Sequence, residues 1–168
     1  MCVDEKWRRW RLRERVPAAA VPVAAQTLYD EFVKDALSPS FRHMGFIGSG
    51  GRYSIKSETC WALLGLQKSA YSDGREVRFT ASLLVASHNS WQALRAASPH
   101  LPERPAPGTL YGRGIAQSRI GPLLPEGEDL WWRVYDGVEL AVVADDVVSA
   151  IRAHGLPRLR DQIKLAEG

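Results

Sequence analysis

One stretch of polar residues between apolar segments is the first place where this sequence could bind a ligand. In GLQKSAYSDGREVRFTASLLV, Gln67 and Ser69 precede a turn, and Arg78 and Thr80 follow it. A guanidinium beside an amide and two hydroxyls could bind a carboxylate, a phosphate or the backbone of a partner protein. The same residues would equally form the water-facing side of an antiparallel sheet. The sequence favours this second interpretation and leaves the first open.

A second group of chemically distinctive residues occurs in RIGPLLPEGEDLWWRVY. Successive strand residues point to opposite faces, so one of Trp131 and Trp132 is predicted in the core and the other at the surface. An exposed tryptophan beside Arg119 or Arg133 could anchor a partner protein. We therefore include Trp132, Arg119 and Asp129 among the candidate binding residues. If both tryptophans seal the sheet, this anchor does not exist.

The sequence gives little support for a metal site or for nucleophilic catalysis. The histidines are scattered, without the spacing of a helical metal site: His43, His88, His100 and His154. Cys60 opens an apolar segment, so we expect a buried, unreactive thiol and not a nucleophile paired with a histidine. We predict no metal and no cofactor, and we assign no catalytic residue.

The elements that position the polar stretch are two strands joined at Asp73-Gly74, a dipeptide typical of two-residue hairpin turns. A turn there places Gln67 opposite Thr80 and Ser69 opposite Arg78. A slip by one residue would mix polar and apolar side chains on each face, so the pattern supports this register. The pairs predicted on the other face, apolar except for Lys68, are Lys68 with Phe79, Leu66 with Ala81, Leu64 with Leu83, and Ala62 with Val85.

The N-terminal part of the domain has a helical pattern from Ala24, with Pro39 opening a second helical piece and Gly45 ending it. The glycines of GSGG then form a flexible link into the strand-like RYSIK. Further on, SWQALRAAS predicts a short helix with Ser90 as its N-cap, and PHLPERPAPG predicts a surface loop.

The C-terminal part contains two strand-like pieces, in RGIAQSRIGPLL and DLWWRVY, followed by a long amphipathic helix. We expect Gly155 and Pro157 to end this helix. Strands cluster between helices without βαβ alternation. The sequence therefore predicts an α+β fold, with an antiparallel β-sheet of about five strands packed against N- and C-terminal helices.

The basic character of the chain is confined to its beginning. Residues 1–22 hold six Lys and Arg against three Asp and Glu, which accounts for the whole formal net charge of +3. We predict that residues 1–23 are a disordered basic extension and that residues 24–168 form a single domain. A nucleic-acid-binding arm with Trp7 and Trp10 is the alternative for the extension. No apolar run reaches the length of a membrane span, so we expect no membrane partner. The two cysteines, Cys2 and Cys60, do not suggest a disulfide framework, so we expect a reducing, cytoplasmic setting.

Four segments in this order resemble a bacterial family named domain of unknown function 4304: LSPSFRHMGFIGSGGRYSI, LLGLQKSAYSDGREVRFTASLLV, RIGPLLPEGEDLWW and HGLPRL. The resemblance covers roughly residues 24–159 and implies a small, soluble α+β protein, with no established activity to transfer. One departure is Ala81-Ser82, where the family tends to have an asparagine. The family-type positions are Gly45, Phe46, Gln67, Lys68, Ser69, Arg78, Phe79, Thr80, Arg119, Ile120, Gly121, Asp129, Trp131 and Trp132.

Three functions follow from these observations. The leading one is a non-enzymatic protein-binding module, of the immunity or inhibitor type, which implies a protein partner. The second is an enzyme with a small-ligand pocket on the sheet face, in which Gln67, Arg78 and Arg119 would converge with a histidine or Asp129. The third is nucleic-acid binding through residues 1–22.

Overall fold

Among the residues that the computed structural model describes, 23–112 and 114–168, six strands form one antiparallel sheet. They are β1 (Ile47–Ser49), β2 (Arg52–Ser54), β3 (Cys60–Lys68), β4 (Glu76–Ser87), β5 (Ala116–Arg119) and β6 (Trp132–Tyr135). Strands β1 to β4 are neighbours in chain order. Strands β5 and β6 both pair with the other edge of β4, β6 near its start and β5 near its end.

Two long helices pack against one face of the sheet, which we call the inner face. The N-terminal helix comprises Ala25–Phe32, Val33–Leu37 and Ser38–His43, and the C-terminal helix comprises Leu140–Ala150, Ile151–Gly155 and Leu156–Glu167. Phe32 and Ile151 from these helices share one core with Phe79 and Leu83 from β4. Removing this apolar surface from water is the main favourable term in folding. The predicted α+β class, with an antiparallel sheet between terminal helices, is confirmed.

Both long helices continue through a proline. Pro39 lies in the first turn of Ser38–His43, as predicted, but the expectation that Gly155 and Pro157 end the last helix is wrong. A π-helical turn precedes each proline, over Val33–Leu37 and Ile151–Gly155, with an amide donating to the carbonyl five residues earlier. A proline ring clashes with the carbonyl four residues before it in an α-helix, and the wider turn accommodates the ring.

The chain after the N-terminal helix forms a strand that the sequence interpretation missed. Gly45 ends the helix with φ of 98°, as predicted, and the amide of Phe46 donates to the carbonyl of Phe41. The GSGG segment is then not a flexible link, because β1 enters it and pairs with β2. Gly50 and Gly51 have φ of 61° and 83°, the positive values that a two-residue type I′ hairpin turn requires. The sheet consequently gains a sixth strand at this edge.

The register predicted for β3 and β4 is confirmed. Gln67 lies opposite Thr80 and Gly65 opposite Ser82, while Leu64 pairs with Leu83 on the inner face. The amide of Ser69 donates to the carbonyl of Arg78 just beyond the ladder, which extends the same alignment. The apolar pattern of the two strands was therefore sufficient to align them.

The turn between these strands differs from the predicted one. Strand pairing stops at Lys68, and residues 69–75 make a wider loop in which Gly74 does not adopt a positive φ. Asp73 shapes this loop, because its Oδ1 accepts hydrogen bonds from the amides of Arg75 at 2.8 Å and Glu76 at 2.9 Å. These two amides hold the pKa of the Asp73 carboxyl below its usual value of 3.8.

The short helix His88–Ala97 and the loop after it cover one half of the opposite, outer face. Trp91 is fully buried there, its Nε1 donates to the carbonyl of Glu103 at 2.8 Å, and its ring meets Tyr111 edge-on. Leu63 and Leu84 of the sheet lie beneath it. The other half of this face carries the polar residues.

The N-cap of this helix is Ser87, not the predicted Ser90. The Ser87 Oγ accepts a hydrogen bond from the Ser90 amide at 3.0 Å, so the helix begins directly at the end of β4. Either serine satisfies the chemical preference for an N-cap, and the end of the strand decides between them.

A buried polar pair links the N-terminal helix to the β1–β2 hairpin. The hydroxyls of Ser38 and Tyr53 lie 2.6 Å apart, and the amide of Gly51 donates to the Tyr53 hydroxyl at 3.3 Å. Both side chains are essentially inaccessible to water. Since a buried polar atom without a partner is costly, this contact holds the hairpin in place only while both hydroxyls are present.

Tyr53→Phe should lower the free energy of unfolding by about 1–3 kcal/mol, because it leaves the Ser38 hydroxyl buried without a partner. The double variant with Ser38→Ala should lose less free energy of unfolding than the two single variants lose together. Urea unfolding of the four proteins measures this coupling. Strictly additive effects would show that the two hydroxyls do not interact.

Asp73→Asn should destabilise the protein at neutral pH, because the amide oxygen accepts the two loop hydrogen bonds without the charge that strengthens them. A lowered folded-state pKa contributes stability above the unfolded pKa, and this contribution is lost as pH falls through the folded value. The difference in free energy of unfolding between the variant and the wild type should therefore shrink below pH 3.8. Asp145→Asn on an exposed helix position is the control, and an equal pH dependence in both variants would contradict the prediction.

Candidate functional site

The uncovered half of the outer face gathers polar side chains from four strands and one loop, and we call it the outer-face patch. Its residues are Gln67, Glu76, Arg78, Thr80, Ser82, Arg119, Asp129, Trp131 and Arg133. Register places them together: Thr80 lies opposite Gln67, and Ser82 is paired with Arg119 on its other side. Five of the seven predicted candidates, from two distant parts of the sequence, thus lie together: Gln67, Arg78, Thr80, Arg119 and Asp129.

The floor of the patch is formed by Gln67, Thr80 and Ser82. The Ser82 hydroxyl donates to the Gln67 Oε1 at 3.2 Å, and both hydroxyl residues are almost completely buried. Gly108 of the proline-rich loop lies beside the Gln67 amide, so the end of the loop borders the floor. Thr80 and Ser82 are therefore part of the packed sheet, whereas Gln67 and the residues around the floor are accessible to a ligand.

Thr80 carries an unusual polar atom. Its side chain is 0% exposed, and its Oγ1 has no hydrogen-bond partner. Buried hydroxyls are normally paired, because an unpaired one loses its bond to water without replacement. Extending the pairing of Phe79 with Trp132 by one residue brings Thr80 next to Trp131. The sequence interpretation treated this threonine as a surface residue, and its burial is a correction.

Arg119, Asp129 and Trp131 form a closed cluster on the rim. A single carboxylate oxygen, Oδ2 of Asp129, accepts hydrogen bonds from Arg119 Nη1 at 2.7 Å and from Trp131 Nε1 at 2.8 Å. The guanidinium carbon of Arg119 lies 5.0 Å from the centre of the indole ring, a cation–π contact. The three side chains hold one another in a defined arrangement at the surface.

Gly121 explains why the loop returns to this rim. A Cβ at this buried position would collide with the carbonyl oxygen of Glu128 and the amide of Leu130. The close approach brings the loop back over the end of β5, which places Asp129 within reach of Arg119. A glycine is therefore required by space at this position, and its φ is not a factor.

Arg78 and Arg133 share Glu76 on the opposite side of the rim. Arg78 Nε is ion-paired with Glu76 Oε1, and Arg133 Nη1 lies 3.9 Å from the other oxygen. Both arginine side chains are about 40% exposed, so this pairing contributes little to stability. With Arg119, the patch holds three guanidiniums and two carboxylates.

Two candidates from the sequence lie away from the patch surface. Trp132 is the buried tryptophan, 7% exposed, with its ring 5.5 Å from that of Phe79 on the inner face. Ser69 lies in the hairpin loop, where its Oγ accepts from the amide of Tyr71. The partly exposed tryptophan is Trp131. Alternation separates the two tryptophans, but only the pairing of β6 with β4 decides which one faces outward.

Metal binding and thiol chemistry were the other possibilities that the sequence raised. Within residues 23–112 and 114–168, no three His, Cys, Asp or Glu side chains are placed to hold a metal ion. Cys60 is buried on the inner face as a free thiol. Over the same ranges, no helix has the length and apolar character needed to cross a membrane.

Comparison with known proteins gives one match. A family model described as a domain of unknown function, DUF4304, matches residues 37–161. The matched range contains all six strands and every residue of the outer-face patch. No curated protein and no solved structure matches the chain.

Thr80→Val should raise the free energy of unfolding by about 1 kcal/mol, because it replaces an unpaired buried hydroxyl with a methyl group of the same shape. Ser82→Ala, two residues along the same strand, should lower it, since it removes the hydrogen bond to Gln67. Urea denaturation compares the two. A destabilised Thr80→Val variant would mean that the hydroxyl has a partner in solution.

Proposed function

The chain belongs to the DUF4304 family, and for this member we propose that the outer-face patch is the docking surface of a non-enzymatic protein-binding module. The finer proposal is that it acts by covering a surface of its partner, as immunity and inhibitor proteins do. The observation that carries the proposal is the closed cluster of Arg119, Asp129 and Trp131.

Tryptophan and arginine are the residues that most often dominate the binding energy of protein interfaces. In this cluster the single indole N–H of Trp131 already donates to Asp129, so a partner can cover the ring without leaving that donor unpaired. Arg119 donates to the same carboxylate through one N–H, and its other N–H groups can donate to a partner's oxygens. The cluster is also fixed before binding, which reduces the entropy lost on association. Trp131 is accordingly the expected anchor.

The charge of the patch indicates the kind of partner surface. The patch presents three guanidiniums, of Arg78, Arg119 and Arg133, beside the carboxylates of Glu76 and Asp129. Acidic groups of a partner protein would pair with these guanidiniums, and that attraction would weaken as salt screens it. A guanidinium that binds a carboxylate in two places would add geometric specificity.

A small-ligand pocket on this face receives less support. It would require Gln67, Arg78 and Arg119 to converge on one substrate. Their polar atoms instead contact three separate neighbours, which are Ser82, Glu76 and Asp129. This arrangement suits a broad contact surface better than a single reacting centre.

A photo-crosslinking amino acid at exposed Glu128, beside the cluster, should capture a protein partner in the source cells. The same amino acid at Arg152, on the C-terminal helix, is the control position. The captured protein is then identified, purified and mixed with the full-length chain. The proposal fails if the crosslinker at position 128 captures no protein, or only proteins that the crosslinker at position 152 also captures.

Trp131→Ala should weaken binding of that partner by more than tenfold, as expected for an interface hot spot of about 2 kcal/mol. Leu165→Ala removes an exposed apolar side chain from the C-terminal helix, which packs on the inner face, and should leave affinity unchanged. Titration calorimetry at low and high salt measures both effects. Equal affinity of wild type and Trp131→Ala would contradict this docking surface.

A further inference from the structure

A cavity of about 470 Å³ lies between the β1–β2 hairpin and the proline-rich loop. Its volume is within the range of small-molecule binding sites. Its apolar lining includes Ile47, Leu63, Pro102, Pro105 and Pro107, and it contains no residue of the outer-face patch. It is thus a separate feature of the molecule.

The wall that the proline-rich loop contributes is held in place from several directions. Pro107 packs directly on Gly65, where a Cβ would lie only 3.2 Å from the proline ring. The amide of Ala106 donates to the Tyr111 hydroxyl at 2.9 Å. Pro105 is itself buried, and the hydrogen bond from Trp91 to Glu103 fixes the start of this segment. These contacts form the cavity before any ligand is present.

Two arginines line the cavity, Arg52 from β2 and Arg104 from the loop. Neither forms an ion pair with any described residue, and no aspartate or glutamate is among the lining residues. The Arg104 guanidinium is positioned 5.7 Å above the ring of Trp61. The cavity therefore combines apolar walls with two cations that lack a counter-charge within the described parts of the chain.

We propose that this cavity binds a small organic anion with an apolar body, such as an aryl or alkyl carboxylate or sulfonate. The anionic group would accept hydrogen bonds from Arg52 and Arg104, which suit planar, two-point recognition of such oxygens. The body would lie against Leu63 and the prolines. This assignment rests on the cavity alone and is independent of the docking proposal.

Anilinonaphthalene sulfonate is a suitable probe, because it joins an aromatic body to one anionic group and fluoresces on entering an apolar site. The folded wild-type protein should bind about one equivalent, and Arg52→Ala and Arg104→Ala should each weaken binding about tenfold. Arg152→Ala, an exposed arginine of the C-terminal helix, is the matched control and should leave binding unchanged. Near-UV circular dichroism verifies that every variant is folded.

Uncharged phenylnaphthylamine separates the two parts of the proposal. Its binding should be insensitive to either arginine replacement, because it lacks the anionic group. Ala106→Trp, which fills the cavity, should abolish binding of both probes. The proposal is overturned if the sulfonate does not bind, if it binds the arginine variants as tightly as wild type, or if Ala106→Trp leaves its binding intact.

Discussion

Strand β4 is the constraint on which the other elements depend, because it has hydrogen-bonded neighbours along both edges. Along one edge it pairs with β3, and along the other it pairs first with β6 and then with β5. A shift of its register by one residue would exchange the residues on its two faces. Its alignment therefore fixes the inner-face core and, at the same time, the identity of the residues in the outer-face patch.

The two halves of the outer face differ because of what the chain does after β4. Ser87 caps a helix directly at the end of the strand, and Trp91 then covers the adjacent apolar residues. The patch half receives no such cover, and its rim is formed by charged side chains that pair locally. The proline-rich loop lies between the cavity and the patch, where Pro107 packs on Gly65 and Gly108 lies beside Gln67. The lack of a Cβ at Gly65 allows the loop to approach the sheet this closely.

The sequence was sufficient for features that depend on a repeating pattern. Alternation aligned Gln67 with Thr80, and helical periodicity identified the two long helices that pack against the sheet. Features that depend on contacts distant in sequence could not be predicted in this way. The choice of Trp131 over Trp132 as the exposed ring depends on the pairing of Trp132 with Phe79. The position of Asp129 depends on how closely the loop of residues 128–130 approaches Gly121.

The π turns before Pro39 and Pro157 have a consequence for the spacing of side chains along each long helix. In each π turn a hydrogen bond spans five residues, whereas in an α-helix it spans four, so the turn contains one extra residue. One residue corresponds to a rotation of about 100° around the helix axis. The apolar stripe after the turn is thus out of phase with the stripe before it. Loss of a single residue from Val33–Leu37 would rotate Ser38 away from Tyr53, so the exact length of this segment is a condition for joining the helix to the hairpin.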